Sequence, residues 1–133
     1  MTMLRYLTLA LAAAAILWPA EPPQASAGLA GSGWRIVEVD GAKAADVGTL
    51  QFAGDKLTGQ AACNRFFATF AERSGKLTIG PIGATRRFCQ GKMELERATL
   101  TALAKAWTYA RDGDRLVLLA DAGEAVLALE PVR

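Results

Sequence analysis

The chain reads as an α+β protein: an open or cracked antiparallel β-barrel of seven to eight short strands packed on one amphipathic helix. Three observations carry this. Short segments rich in β-branched and aromatic residues alternate in polarity between Gly and Asp punctuation. A single stretch, Met93 to Trp107, instead repeats its apolar residues at helical spacing. So short a sheet must protect its edges, and curling around or onto the helix does so.

The strands follow in order. Trp34 to Val39 stops at Asp40-Gly41, and Ala42 to Val47 reads as loop. Thr49 to Ala53 turns through Gly54-Asp55 into Lys56 to Gln60, with glycine supplying the positive φ that a two-residue hairpin needs. Ala61 to Arg65 interrupts the alternation, and Asn64 there is a natural turn former. Phe66 to Glu72 resumes with Phe66, Ala68 and Phe70 on one face. Ser74-Gly75 leads back through Lys76 to Gly80, and Pro81 to Ala84 is an irregular joint. Trp107 to Arg111 and Arg115 to Leu119 flank Asp112-Gly113-Asp114, and Ala125 to Glu130 is the last strand.

Between these groups the helical pattern puts Met93, Leu100, Leu103, Ala104 and Trp107 on one stripe. Glu94, Arg97, Thr101 and Lys105 fall opposite. Glu96 lies four residues before Leu100 and so shares the apolar stripe, where a carboxylate is costly unless partnered. Its candidate partners are Thr85, an arginine of the Arg86-Arg87 pair, or Asn64 with its neighbouring backbone N–H groups. One reading makes Glu96 a perturbed acid in a pocket. The other makes it an anchor pinning helix to loop, or a carboxylate favoured by the helix dipole.

Residues 1–27 carry the order of a secretory signal peptide. Arg5 is the positive n-region, Tyr6 to Trp18 the apolar h-region, and Ala25-Ser26-Ala27 an A-x-A cleavage site. Residues 28–33 then form a flexible leader, and 34–133 one domain able to bury a single core. The expected location is the periplasm, or association with the outer membrane. Fifteen Lys and Arg stand against 13 Asp and Glu, too balanced for a nucleic-acid footprint. The absence of histidine removes His-based acid–base chemistry and His-metal sites.

Two cysteines in an exported chain suit a disulfide between Cys63 and Cys89, which would constrain the unfolded state by about 3 kcal/mol. The alternative is two buried free thiols packed as small hydrophobes. A redox pair fits less well, because that chemistry favours C-x-x-C spacing. Two cysteines alone fall short of a structural metal site, so neither metal nor cofactor is expected.

Several motifs recur in a familiar order. Trp34 with its strand is followed by Gly59-Gln-Ala-Ala-Cys-Asn-Arg-Phe, Leu77-Thr-Ile-Gly80 and Ala84-Thr-Arg-Arg-Phe-Cys89. Glu96-Arg-Ala-Thr-Leu-Thr-Ala-Leu103 and Gly113-Asp-Arg-Leu-Val-Leu118 complete the set. The chain resembles the META domain, or HslJ-like, family from about Trp34 to Leu129. The resemblance implies an open antiparallel barrel wrapped on one helix, similar to a lipid-binding secretion pilotin. It also implies a small exported or envelope-associated bacterial protein, of a kind sometimes heat-inducible and linked to antibiotic tolerance. No established enzymatic activity comes with it. The chain departs from the family at Ala62, where many members have glycine, and at Arg87-Phe88, which replace smaller residues.

The expected function is therefore a non-catalytic envelope module, monomeric and stress-related. It would bind an unknown envelope protein or an apolar small molecule through the barrel mouth or the Cys63–Cys89 side, and touch the membrane only peripherally if at all. Asn64, Arg65, Thr85 and Glu96 are its motif residues, with structural roles. Phe66, Phe70, Met93, Leu100 and Trp107 are its candidate ligand or partner contacts. The alternative is a thiol- or carboxylate-dependent enzyme or redox factor using Cys63, Cys89, Glu96 and Thr85.

Overall fold

The structure is a computed structural model describing residues 28–132. The expected signal peptide, residues 1–27, lies outside the described residues, as does Arg133. The elements in chain order are β1 (Ser32–Val39), β2 (Ala42–Lys43), β3 (Gly48–Ala53), β4 (Lys56–Ala61), β5 (Asn64–Arg73), β6 (Lys76–Ile79) and β7 (Gly83–Ala84). After these come α1 (Met93–Ala104), β8 (Thr108–Asp112), β9 (Arg115–Leu119) and β10 (Ala125–Pro131). The α+β expectation holds: among the described residues one mostly antiparallel sheet accompanies a single helix.

The strands run in the order β10-β9-β8-β6-β5-β4-β3-β1-β2, with β7 beside β5, and β10 also pairs with β1. The sheet thus returns on itself as a ring. Its thin seam is β6–β8, joined in register only at Lys76 and Thr108. There Leu77 N–H donates to the Trp107 carbonyl at 2.8 Å, and Trp107 N–H to the Leu119 carbonyl at 2.7 Å. Tight turns set the hairpins. Asp40-Gly41 and Ser74-Gly75 carry positive φ at both residues, and Gly54 has φ 60°.

Among the described residues, ten strands replace the seven or eight expected. The additions are β2, inside the Ala42–Val47 stretch read as loop, and β7, inside the Pro81–Ala84 joint. Each has two residues, too few to show alternation. Residues 28–33, expected as a leader outside the domain, take part in it. Leu29 is fully buried, and Ser32 and Gly33 open β1.

The interior of the ring is filled. Phe52, Phe66, Leu50, Leu57, Leu77 and Leu116 are each no more than 1% exposed. Phe52 and Phe70 meet edge to face with ring centroids 4.9 Å apart, the geometry aromatic quadrupoles favour. Gly59 serves this packing. A Cβ there would lie 2.0 Å from the Thr49 carbonyl oxygen and 2.6 Å from the Phe66 ring.

The helix differs from its expected extent and phase. It ends at Ala104, and the residues it buries are Glu96, Thr99, Ala102 and Leu103. Ala104 is exposed, Met93 and Leu100 are half-buried, and Trp107 lies beyond the helix at 43% exposure. Two of the four buried positions are polar, which hides the true stripe from an apolar count. Thr99 is satisfied locally, its hydroxyl donating to the Leu95 carbonyl at 2.7 Å.

Candidate functional site

The site assembles where the β4–β5 turn, the irregular 85–89 segment and the first turn of α1 meet. The turn is tight. Ala61 pairs with Asn64, and Ala62 stands in the left-handed region at φ 48°. Alanine pays about 1–2 kcal/mol for that conformation, while glycine does not. Ala62→Gly is therefore expected to raise stability by about 1 kcal/mol, read as a higher melting temperature. An unchanged or lower midpoint would show that this backbone is not strained.

Asn64, 2% exposed, is the hub. Its amide nitrogen donates to Glu96 Oε2 at 2.8 Å and to the Arg87 carbonyl at 2.9 Å. Its amide oxygen accepts from Thr85 Oγ1 at 2.9 Å and from Arg87 N–H at 2.6 Å. Both side-chain donors and both lone pairs are thus engaged. The Asn64 backbone N–H adds a 2.5 Å bond to Glu96 Oε1. Glu96, 6% exposed, has both oxygens held by one residue, at the helix end whose dipole favours a carboxylate.

Of the partners expected for Glu96, the structure selects Asn64 with its backbone. Thr85 acts one bond further out, donating to Asn64 and accepting from Arg65 N–H at 3.1 Å. Arg87 contributes backbone rather than its side chain. Cys63 and Cys89 form the expected disulfide, with Cα atoms 5.8 Å apart. In this bonded state neither sulfur offers a thiol. Cys89 N–H also approaches Met93 Sδ at 3.5 Å, tying the bridge to the helix start.

The remaining candidate contacts separate. Phe66 and Phe70 belong to the core. Leu100 lines an open groove of about 650 Å³ between α1 and residues 79–82, together with Pro81 and Ala104. Trp107 carries the Lys76 ammonium 4.2 Å from its ring centroid. Reading the sequence missed two features. One is Phe88, 79% exposed and directly following the exposed Arg86-Arg87 pair. The other is Glu72, which accepts from Leu29 N–H at 2.8 Å and from the Tyr109 hydroxyl. The Arg86-Arg87-Phe88 run is visible in the sequence, but its rigid mounting is not. Glu72 carries no local signal, because its partners lie 43 and 37 positions away.

Among the described residues no helix is long and apolar enough to cross a membrane, and no group of three or more acidic or cysteine side chains could hold a metal.

The ring, the single helix and the disulfide-plus-carboxylate clamp define a class of small, covalently tied α+β domain. The chain belongs to the META domain family, whose model matches residues 27–132. A protein from Burkholderia xenovorans, solved by NMR, is similar at TM-score 0.64 and 23% identity, over 78% of this chain and 83% of that one. A second protein solved by NMR is similar at TM-score 0.60 and 18% identity, over 77% and 90% respectively. At these identities the likeness concerns the fold. No curated protein matches.

Proposed function

We propose that this META domain is a non-catalytic, exported envelope module that binds a protein partner through its Cys63–Cys89 side. The observation that carries the reading is Phe88, 79% exposed, directly after the exposed pair Arg86-Arg87. The segment bearing it is held by the disulfide at one end and by Asn64 and Arg65 at the other. A preorganised aromatic anchor loses little entropy on binding, and aromatic and arginine side chains dominate interface energetics. Neither Arg86 nor Arg87 has an ion-pair partner among the described residues. The outer face of β5 extends the patch with exposed Arg65 and Phe67, beside an open groove of about 420 Å³. The fitting partner presents an acidic surface around an apolar pocket.

The filled interior weighs against an apolar ligand inside the ring. Export supports the reading chemically, since an oxidising compartment is where a disulfide persists. Work in envelope stress is the role the family likeness suggests.

The test places a photo-crosslinking residue at position 88, and at exposed position 121 as control, in the exported protein. One protein is expected to crosslink from 88 and not from 121, and to be lost when Arg86 and Arg87 become Glu without a change in melting temperature. Crosslinking that ignores the charge reversal would contradict the proposal. So would binding to anionic phospholipid vesicles with no protein crosslinked.

A further inference from the structure

We propose that Glu72 is the seat of a new chain end: removal of the export signal after Ala27 frees an α-ammonium on Gly28 beside this carboxylate. The resulting ion pair belongs to the mature protein and not to its precursor. The inference rests on the export reading, and not on the partner-binding surface.

Glu72, half-buried near the end of β5, faces the start of the domain with one oxygen and β8 with the other. Oε2 accepts from Leu29 N–H at 2.8 Å, and Oε1 accepts from the Tyr109 hydroxyl. The Leu29 side chain is fully buried, which fixes the backbone next to Gly28. A Cβ built on Gly28 would lie 3.4 Å from Glu72 Oε2. The Gly28 nitrogen shares that Cα and sits about 2.5 Å from the same point by tetrahedral geometry. It therefore lies within about 6 Å of the carboxylate, close enough for a charge there to matter.

In the precursor this nitrogen is a neutral amide with one proton. An export peptidase would add water across the bond between Ala27 and Gly28. Ala27 keeps the oxygen as a carboxylate, and the Gly28 amine carries a proton at neutral pH, giving an ammonium with three donors. Both Glu72 contacts named above are neutral donors, so the ammonium adds a charge they do not supply. The Tyr109 hydroxyl is in keeping with a negative field here. Burial first, then the hydrogen bond to Glu72 and its charge, push its pKa up to about 12, against the opposing charge of Arg111.

The experiment begins with the intact mass of the exported protein, expected to match a chain starting at Gly28. Thermal unfolding is then compared for that chain with a free and with an acetylated N-terminus, each carrying Glu72 or Glu72→Gln. Acetylation is expected to lower the midpoint by about 3 °C with Glu72 and by under about 1 °C with Gln. A mature start at any other residue overturns the proposal, and so does an equal acetylation effect in both backgrounds. Should Glu72→Gln fail to fold, the acetylation step is read at rising salt. An effect that salt does not shrink overturns the proposal as well. Crosslinking at position 88 is independent of these outcomes, so the two readings fail separately.

Discussion

Glu96→Ala is expected to destabilise the domain by about 3 kcal/mol, while Glu94→Ala changes it by under about 0.5 kcal/mol. The two carboxylates share the first turn of α1 and its dipole. They differ in what they touch. Glu94 is exposed, whereas Glu96 accepts both the backbone N–H and the side-chain amide of Asn64. Truncation leaves two donors of a residue only 2% exposed without acceptors, and each such donor costs about 1–3 kcal/mol. Relaxation and entry of water recover part of that sum. In a domain of this size the expected loss lowers the melting temperature by about 12 °C or more. Glu96→Gln falls between, since its NH₂ must face one of the two Asn64 donors. Equal melting temperatures for Glu96→Ala and Glu94→Ala would remove the case for a structural carboxylate.

Replacing Cys63 and Cys89 together by serine is expected to cost about 3 kcal/mol. The bridge closes a loop with a sequence separation of 26, and its loss returns that loop entropy to the unfolded chain. A local effect adds to this. Residues 85–89 form no regular element, so without the bridge their attachment rests on hydrogen bonds to Asn64 and Arg65. The serine pair should therefore raise amide exchange from 85 to 89 more than elsewhere. Combined with Glu96→Ala the losses approach about 6 kcal/mol, comparable with the whole stability of many domains. The combined variant is expected to be largely unfolded at 37 °C. A serine pair that melts with the wild type would show that hydrogen bonding alone holds the segment.

The sequence made much of this legible where the pattern was local. The alternation of Phe66, Ala68 and Phe70 matches their burial along β5, and the Gly54, Ser74-Gly75 and Gly113 turns lie where the punctuation puts them. Ring closure through β1 and β10 was not legible in detail, because no local period names a partner about 95 residues away. The helix shows the same limit. The pattern identifies Glu96 as a carboxylate on the inner stripe, but a stripe through Met93, Ala104 and Trp107 does not match the face the helix buries. Lys105 ends the helix before Trp107, and Thr99 hides a buried position behind a hydroxyl. At the site, motif order placed Cys63, Asn64, Thr85, Cys89 and Glu96 in one neighbourhood. Which atom meets which followed only from the fold, as the backbone role of Arg87 illustrates.

Native-state hydrogen exchange at the Asn64 backbone amide tests the clamp most directly. It should exchange only through global unfolding, with the core amides of β4 and β5, and lose that protection in Glu96→Ala. An Asn64 amide that exchanges in the wild-type protein as fast as the Gly75 turn amide would contradict the clamp.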